Sequence, residues 1–267
     1  MVNFYKYEGA GNDFIMINNL DNKLKLTPNY IKSLCDRHFG IGADGLILLE
    51  ISDKAECFMN YYNSDGSIAE MCGNGARCTA KFFMEQTNSI LNEIQLDTRA
   101  GLKNIKINKD DTYSVDMGIP VFIHSDFPSD TLNLEGFDFN CVSMGNPHAV
   151  TIVDKLESID IKTIGPKIEN DSHFPNKINV EFVEKIDDLN YRVKVWERGC
   201  GETLACGTGA CAVFAILSKI SPRQGLGELS EEITLEFPGG KLFLSQNEQG
   251  HVILRGPATF VFSGEII

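Results

Sequence analysis

Two short stretches of the chain share one unusual pattern, Cys72-Gly73-Asn74-Gly75-Ala76 and Cys206-Gly207-Thr208-Gly209-Ala210. They lie 134 residues apart, and Gly11-Asn12 recurs as Gly145-Asn146 at the same offset. Half of the 267-residue chain is within one residue of that offset. Two unrelated motif pairs at half the chain length indicate an internal repeat. The sequence therefore predicts two similar halves that mix helices and strands, each with one cysteine loop.

Helix patterns follow the two loops. The spacing predicts one helix from Gly73 to about Glu85 and another from Gly207 to about Lys219. The second helix is apolar on all sides, which predicts that it is buried. On the first helix, Arg77, Lys81 and Glu85 have i, i+4 spacing, which predicts a polar stripe.

Shorter apolar and aromatic runs predict the other elements. The stretch from Phe122 to Gly136 is rich in Asp, Ser and Pro, and it is interpreted as the connection between the two halves. The remaining predicted elements are a helix at 28–38 and strands at 13–18, 46–51, 57–62, 94–98, 103–107, 113–116, 139–144, 149–153, 179–185, 191–197, 233–237, 241–244, 252–255 and 260–262.

Composition excludes several classes of protein. The chain has 24 Lys and Arg against 37 Asp and Glu, a formal net charge of −13, which argues against a nucleic-acid partner. No apolar run approaches the ~18–20 residues of a membrane span, and the start lacks a signal-peptide pattern. We therefore expect a cytoplasmic protein without membrane association, whose eight cysteines are mostly thiols. The acidic run at 228–232 is expected to be a solvated surface.

Each repeated cysteine immediately precedes Gly-x-Gly and a predicted helix. The N–H groups and the positive end of a helix stabilise a thiolate, and they also bind carboxylates. Two such loops suit proton transfer at a carbon with inversion: one thiolate removes the α-hydrogen while a thiol on the opposite face donates a proton. The backbone N–H groups of Gly73, Asn74, Gly207 and Thr208 could then stabilise the carbanion through its carboxylate. Reactive contact at both sulfurs would place them about 6–7 Å apart.

Other roles that the cysteine motifs could have are a metal site, a dinucleotide site, a disulfide or packing. Cys200, Cys206 and Cys211 lack Cys-x-x-Cys spacing and the five histidines are scattered, so no metal site is predicted. Neither Gly-x-Gly run has the Gly-x-Gly-x-x-Gly dinucleotide fingerprint. A Cys72–Cys206 disulfide would be an inactive oxidised state rather than a structural link. Packing best explains the remaining cysteines, Cys35, Cys57, Cys78, Cys141, Cys200 and Cys211.

The two cysteine blocks resemble the signatures of a known family. Met71-Cys72-Gly73-Asn74-Gly75-Ala76-Arg77-Cys78 and the block from Glu197 to Gly209 are similar to the two signatures of the diaminopimelate epimerases. The similarity extends over residues 4–264. The further blocks that resemble the family are Gly9-Ala10-Gly11-Asn12-Asp13-Phe14, Asn63-Ser64-Asp65-Gly66-Ser67 and Met144-Gly145-Asn146-Pro147-His148.

The resemblance implies a fold and an activity. The fold is α+β, with two pseudo-symmetric domains that each wrap a curved, mostly antiparallel sheet around a central helix. The first domain would span residues 1–117, completed by a returning strand at 258–267, and the second residues 118–257. The implied activity is interconversion of LL- and meso-diaminopimelate on the route to lysine and peptidoglycan. The implied enzyme needs neither a cofactor nor a metal.

The resemblance also implies roles for individual residues. Cys72 and Cys206 would be the acid–base pair, and His148 and Glu197 would tune the two thiol pKa values. Asn63, Asn179 and Arg198 would hold the distal carboxylate, with Arg198 able to bind it bidentately. Asn146 and Glu197 would hold the distal ammonium. The full set of side chains implied to bind substrate is Asn12, Asn63, Asn146, Asn179, Glu197 and Arg198.

The alternative to substrate binding is that these residues have only a structural role. By type the asparagines are ordinary turn residues, His148 after Asn-Pro could be a turn residue too, and Glu197 with Arg198 could form a surface ion pair. Their position beside the cysteine blocks favours substrate binding.

Two positions depart from the family pattern. Gly45 stands where many members carry Gln, so a side-chain contact to substrate is lost or made by backbone. Phe262 stands where members often have a Tyr linked to dimer formation. Its ring could still pack across the interface of a homodimer, without the hydroxyl hydrogen bond.

Two other functions compete. Proline and hydroxyproline racemases share the fold, but they typically carry His after the first Cys-Gly, where this chain has Asn74. Their ring-shaped substrates need no distal carboxylate clamp, so Arg198 with Asn63 and Asn179 favours the longer substrate. The remaining alternative is a non-catalytic thiol or ligand-binding relative. Hydrogen–deuterium exchange at the α-carbon of each candidate substrate discriminates the three.

Overall fold

The computed structural model describes residues 1–220 and 231–266. The chain divides into two compact units, Met1–Val115 with Arg255–Ile267 as the first and Asp116–Leu254 as the second. Residues 228–230 of the predicted acidic surface lie outside the described residues, whereas Glu231 and Glu232 are exposed. None of the helices in the described ranges has the length and apolar character needed to span a bilayer.

The secondary structure alternates short strands with few helices. Along the chain the elements are β1 (Val2–Gly9), β2 (Asn12–Asn19), α1 (Pro28–Cys35), β3 (Gly45–Glu50), β4 (Cys57–Asn63), α2 (Gly73–Thr87), β5 (Glu93–Thr98), β6 (Gly101–Ile107), β7 (Tyr113–Asp116), β8 (Thr131–Leu134), β9 (Phe137–Ser143), β10 (Pro147–Val153), a 3-10 turn (Leu156–Ser158), α3 (Ile161–Glu169), β11 (Asn179–Lys185), β12 (Asn190–Glu197), β13 (Gly201–Thr203), α4 (Gly207–Ile220), β14 (Ile233–Phe237), β15 (Gly240–Gln246), β16 (Val252–Gly256) and β17 (Thr259–Ile266).

The first unit wraps its strands around helix α2. β1 pairs antiparallel with β2 and with the returning strand β17. From β2 to β7 the pairings are parallel for β2–β3 and β4–β5 and antiparallel for the others. Helix α2 packs against the strands from β1 to β6, and its first turn is buried. The sheet therefore fixes the position of the loop that begins this helix.

The second unit repeats that arrangement around helix α4. β9–β10, β11–β12 and β14–β15 are antiparallel, whereas β10–β11 and β12–β14 are parallel. Helix α4 packs against β9, β10, β11 and β15, and nearly all of its first ten residues are buried. Its predicted burial is confirmed, because apolar side chains on every face meet strands of the same unit.

The repeat extends into the register of the strands. In the first unit, Phe14 pairs with Gly45 across the parallel strands β2 and β3. In the second unit, His148 pairs with Asn179 across β10 and β11, and both residues lie 134 positions further along the chain. Helices α2 and α4 start at the same offset. The two halves therefore share a backbone frame, and equivalent positions can be compared residue by residue.

Two sequence interpretations are wrong. The stretch from Phe122 to Gly136 is part of the second unit, because Phe127 and Leu134 are buried in its core and β8 pairs with β9. Arg77 does not belong to a polar stripe, because it is fully buried. Lys81 forms ion pairs with Glu85 and Asp111 at N–O distances of 3.6 and 3.0 Å. For the stretch from Phe122 to Gly136 and for Arg77, the polar composition did not predict burial, because that burial depends on partners distant in sequence.

Several elements were absent from the sequence prediction, among them β1, β13 and α3. Helix α3 contains Gly165 and Pro166, which weaken any helical signal. Gly165 is required by packing, because a Cβ there would lie 2.6 Å from the Trp196 ring. Helix α1 ends at Cys35 rather than His38, because the Asp36 carboxylate accepts the N–H groups of His38 and Phe39 at 2.8 Å.

Gly45 offers a test of this packing. A Cβ at this position would lie 2.6 Å from both Tyr61 Cε2 and the Tyr62 carbonyl oxygen, and the backbone oxygen cannot move aside. We expect Gly45→Ala to lower the free energy of unfolding by about 1–3 kcal/mol, measured by urea denaturation. Gly118→Ala, where a Cβ meets nothing within 4 Å but the φ of +88° is strained, gives the backbone cost of an added Cβ without a clash. A free energy of unfolding for Gly45→Ala equal to that of the wild-type protein would contradict the steric account.

Candidate active site

Cys72 lies at the start of helix α2 in the first unit. It is the N-terminal cap residue, in extended conformation with φ −140° and ψ 124°, and it is half-buried. The Cys72 thiol donates to Asn12 Oδ1 at 3.4 Å, and the same oxygen accepts from Asn74 Nδ2 at 3.5 Å. Three of the predicted site residues therefore form one cluster. The sulfur lies beside the N–H groups of a helix N-terminus, where negative charge is favoured.

A buried arginine supports this cluster from below. Arg77 donates through Nη2 to Asn74 Oδ1 at 2.9 Å and through Nε to the Pro257 carbonyl at 3.0 Å. The guanidinium thus joins the first turn of α2 to the residues that precede β17. Sequence reasoning missed this role. A sequence signal was available in the repeat: the residue equivalent to Arg77 in the second half is Cys211, so the arginine is specific to the first half.

The other side of Asn12 faces a charged cluster. Asn12 Nδ2 donates to Asp44 Oδ2 at 2.9 Å. The guanidinium of Arg37 bridges Asp44 and Asp13 at 2.7 and 2.8 Å, and Lys6 also pairs with Asp13 at 2.7 Å. Burial opposes ionisation of Asp13, but these hydrogen bonds outweigh it and lower its pKa to about 2. Asp13 is therefore ionised at neutral pH.

Asn63 lies at the end of β4 and is engaged in its own turn. Its side chain donates to Ser67 Oγ at 3.0 Å, and its backbone N–H donates to the Ser67 carbonyl at 2.9 Å. It pairs with Gly45 across β3 and β4. These contacts are those of a structural turn residue. A role of Asn63 in substrate binding stays a prediction.

Cys206 lies at the start of helix α4 in the second unit and is 5% exposed. Its sulfur accepts the N–H of Gly209 at 3.4 Å and lies 3.5 Å from Thr208 Oγ1. Burial, followed by the negative charges of Glu197 and Glu181, raises the pKa of the Cys206 thiol well above its ordinary value, and the hydrogen bonds from Thr208 and Gly209 oppose that change. The protonated thiol is therefore the favoured form at neutral pH.

Glu197 belongs to the same cluster. Thr203 donates to Glu197 Oε1 at 2.5 Å. Burial raises the pKa of Glu197, against hydrogen bonds from Thr203 and Cys206 that lower it. The carboxyl and the thiol thus influence each other, and both have raised pKa values, which brings together two of the residues singled out in the sequence.

A buried histidine lies beneath the loop of α4. His148 is in β10 rather than in a turn and is fully buried. Its Nδ1 is 2.7 Å from Glu181 Oε1, and its Nε2 is 3.1 Å from Asn146 Oδ1. Asn146 Nδ2 donates in turn to Thr208 Oγ1 at 3.3 Å. A continuous series of contacts therefore joins Glu181 to the hydroxyl beside Cys206.

Sequence reasoning missed Glu181. It is fully buried, and in the described part of the chain its Oε2 has no hydrogen-bond partner. A buried carboxylate is unfavourable unless it is paired, so the contact with His148 supplies its compensation. The available signal was a Glu inside an otherwise apolar strand.

Asn179 and Arg198 are linked through the backbone. Asn179 is buried, accepts the N–H of Arg198 at 2.9 Å and donates to the Pro147 carbonyl at 2.8 Å. Arg198 is exposed, and its Nη1 donates to the Asn176 carbonyl at 3.1 Å. Asn179 therefore positions Arg198, whose planar guanidinium suits a carboxylate.

The other cysteines differ from the two loop cysteines. Burial raises the pKa of Cys35 to about 11 and the pKa of Cys57 and Cys141 to about 12, as packed thiols require. Cys200 is exposed. Within the described ranges, no group of three or more His, Cys, Asp or Glu side chains is arranged to hold a metal ion.

Comparison with known proteins decides the family. The family model described as diaminopimelate epimerase matches residues 4–123 and 140–261. The chain belongs to this family. A diaminopimelate epimerase from Prochlorococcus marinus is 45% identical, with 99% of this chain and 98% of the relative covered. One from Acetivibrio thermocellus is 41% identical, with 98% of each covered.

Solved structures with low sequence identity share the fold. A Bacillus anthracis phenazine biosynthesis protein has a TM-score of 0.71 at 16% identity, covering 100% of this chain and 99% of that one. A hydroxyproline epimerase from Agrobacterium vitis has a TM-score of 0.69 at 14% identity, covering 98% and 91%. The expected fold, two mixed α and β domains of the diaminopimelate epimerase type, is therefore confirmed. Because racemases of cyclic substrates share it, the family assignment rests on sequence.

The effect of the Glu197 charge on the pKa of Cys206 generates a prediction. Glu197→Gln removes one of the negative charges that raise the pKa of Cys206, so the thiol should react with iodoacetamide at lower pH. Mass spectrometry of the Cys206 peptide in a Cys72→Ala background measures this. Glu202→Gln, a partly exposed glutamate on β13, is the control. A pH profile that is unchanged, or that moves equally in the control, would contradict the assigned influence of Glu197 on Cys206.

Proposed function

We propose that this protein converts LL-2,6-diaminopimelate to meso-diaminopimelate by proton transfer between Cys72 and Cys206, without a cofactor. The observation that carries the proposal is the equivalence of the two loops: each unit places one cysteine at the start of its central helix, at positions related by the repeat. The substrate class is taken from the names of the relatives. The reaction belongs to the synthesis of lysine and of peptidoglycan precursors.

The proposed step balances in protons and charge. One sulfur, as thiolate, takes the α-proton and becomes a thiol, while the electron pair of the broken C–H bond stays on the substrate. The other sulfur gives its proton to the opposite face of that carbon and becomes a thiolate. The two sulfurs exchange roles in the reverse direction, which explains the value of matched halves. The step requires both sulfurs about 3–3.5 Å from one α-carbon.

Stabilisation of the carbanion is assigned to the helix N-termini. Negative charge develops on the substrate carboxylate as the α-proton leaves. Backbone N–H groups at Gly73 and Asn74, and at Gly207 and Thr208, are held in place before substrate binds, because the first turn of α2 is buried and that of α4 is buried except at Thr208. Donors that need no reorganisation are the most effective stabilisers of such charge.

The distal end of the substrate gives specificity in this proposal. Arg198, with Asn63 and Asn179, holds the distal carboxylate, while Asn146 and Glu197 hold the distal ammonium. The exposed guanidinium of Arg198, positioned by Asn179, supports this assignment. Asn12 completes the contacts at the reacting end, and His148 with Glu197 tunes the thiols. A cyclic substrate has no distal carboxylate for Arg198 to bind.

We further propose a cytoplasmic homodimer without nucleic-acid or membrane partners, built from the domains 1–117 with 258–267 and 118–257. Three consecutive apolar residues of β17 are exposed, Phe260 at 44%, Val261 at 52% and Phe262 at 44%. An exposed apolar strand of this kind favours contact with another protein. Phe262 packs edge-on against Phe4 with ring centroids 5.9 Å apart, which orders the ring for such a contact.

The proposed function predicts the result of exchange in deuterated water. Reduced wild-type protein with LL-diaminopimelate should form the meso isomer with one solvent deuteron at the inverted α-carbon, measured by mass spectrometry and chiral chromatography. Cys72→Ala and Cys206→Ala should each lower the rate at least about 10²–10⁴-fold. Cys200→Ala, which removes an exposed cysteine that the proposed step does not use, should retain the wild-type rate.

The same experiment distinguishes the alternatives. Exchange with proline but not with diaminopimelate would replace the proposal by a racemase of cyclic amino acids. Exchange with neither would leave a thiol or ligand-binding relative. Wild-type turnover in either loop-cysteine variant would overturn the two-cysteine mechanism.

A further inference from the structure

Two equivalent asparagines present opposite ends of their amides to the cysteine loops. Asn12 and Asn146 occupy the same position in the two halves. In the first unit, Asn12 Oδ1 faces the Cys72 thiol and Asn74 Nδ2 at 3.4 and 3.5 Å. In the second unit, Asn146 turns its Nδ2 toward the loop, where it donates to Thr208 Oγ1 at 3.3 Å. The backbone repeat does not explain this difference.

Neighbouring groups fix the orientation of Asn12 from two sides. The Asp44 carboxylate only accepts hydrogen bonds when it is ionised, so the Asn12 NH₂ group faces it at 2.9 Å and the carbonyl oxygen is left toward the sulfur. Asn74 is fixed as well, because its Oδ1 accepts from Arg77 Nη2 at 2.9 Å. Its Nδ2 therefore also requires an oxygen at Asn12. Amide orientations are assigned by such networks, and both partners give the same answer.

The second half lacks that acceptor. The residue equivalent to Asp44 is Ile178, which is fully buried and apolar. Instead, the position equivalent to Phe14 holds His148, whose Nε2 lies 3.1 Å from Asn146 Oδ1. The Asn146 amide lies between this ring and Thr208, with its oxygen toward the ring and its NH₂ group toward the Thr208 hydroxyl. The position that holds Asp44 in the first half therefore supplies no side-chain acceptor to Asn146 in the second.

We propose that Asp44 is a positioning residue of the first half-site, which acts on Cys72 through Asn12. It keeps the Asn12 carbonyl oxygen at the Cys72 sulfur, whereas Cys206 receives the N–H of Gly209 and lies beside the Thr208 hydroxyl. An acceptor at the sulfur favours the thiol, and a donor favours the thiolate. The two sulfurs are therefore chemically unequal despite the matched backbones. The significance of this inequality for catalysis rests on the proposed function.

Charged groups around Asn12 come from several segments. Asp13 lies on β2, Arg37 follows α1, Asp44 precedes β3 and Arg77 lies on α2. A change at Asp44 can therefore reach Cys72 in two ways, by reorienting the Asn12 amide or by removing a nearby negative charge. A test must separate these two effects.

A double-mutant cycle at Asp44 and Asn12, measured at the Cys72 sulfur, separates the two effects. In a Cys206→Ala background, the rate of iodoacetamide labelling of the Cys72 peptide is measured against pH by mass spectrometry. Asp44→Asn should lower the midpoint pH by about one unit, because the released Asn12 amide can rotate and donate to the thiolate. In an Asn12→Ala background, the same Asp44→Asn change should give less than half of that shift.

Controls address folding and net charge. Asp44 is 43% exposed at its side chain and Asn is nearly isosteric, so unchanged circular dichroism is expected. Asp21→Asn removes an exposed carboxylate of the same unit and should leave the midpoint unchanged. The inference is overturned if Asp44→Asn does not move the midpoint, or if it moves the midpoint equally with and without the Asn12 amide.

The test is independent of turnover. Labelling reports on the sulfur itself, so a wild-type protein that failed to epimerise diaminopimelate would refute the proposed function and leave the labelling result interpretable. Conversely, full epimerase activity together with an absence of coupling between Asp44 and Asn12 would refute only this inference.

Discussion

The first turn of each central helix is pressed against the strands beneath it, and the site depends on that contact. A Cβ at Gly75 would lie 2.8 Å from Met59 Cε and 3.1 Å from Ile47 Cδ1, and one at Gly209 would lie 2.6 Å from Glu181 Oε1. A Cβ at either position would require one of these side-chain ends to move, so glycine permits the close approach without such shifts. The first turns therefore lie directly on the strands, and each cysteine lies at a helix start. Pre-organised donors of this kind are what a reaction through a carbanion needs.

The two cysteine loops have equivalent backbones because of the repeat, but the side chains under the two loops differ in chemical type. Under the first loop the strands contribute Phe14 and Ile47, whereas the equivalent positions under the second contribute His148 and Glu181. Conversely, the first half has the buried guanidinium of Arg77, whereas the equivalent residue in the second half is Cys211. The hydrogen-bond environments of the two cysteine sulfurs therefore differ, although the backbones around them match.

The short motifs predicted much of the molecule. The starts of both central helices, the strand at 179–185 and the strand at 233–237 are found where the sequence placed them. These segments carry strong local signals, either glycine before an apolar helix or an uninterrupted β-prone run. The family was also evident, because the two cysteine blocks are long and specific. The predicted binding roles of Asn63, Asn179 and Arg198 are consistent with the contacts but stay predictions.

The remaining features depend on contacts between distant parts of the chain. The burial of Arg77 is compensated by the carbonyl of Pro257, near the other end of the sequence. Glu181 is tolerated because His148 lies on the neighbouring strand. The stretch from Phe122 to Gly136 looks like a linker by composition, yet it carries Phe127 into a core. Local pattern cannot reveal a charge that is paired, or a loop that is anchored, by a partner far along the chain.

The central claim is that Cys72 and Cys206 act on one carbon from opposite faces. A crystal structure of the reduced protein with meso-diaminopimelate bound measures this directly, through the distance from each sulfur to the α-carbons of the ligand. The account predicts both sulfurs within about 3–4 Å of the same α-carbon, on opposite faces. A ligand with only one sulfur in reach, or with both sulfurs on one face, would contradict it.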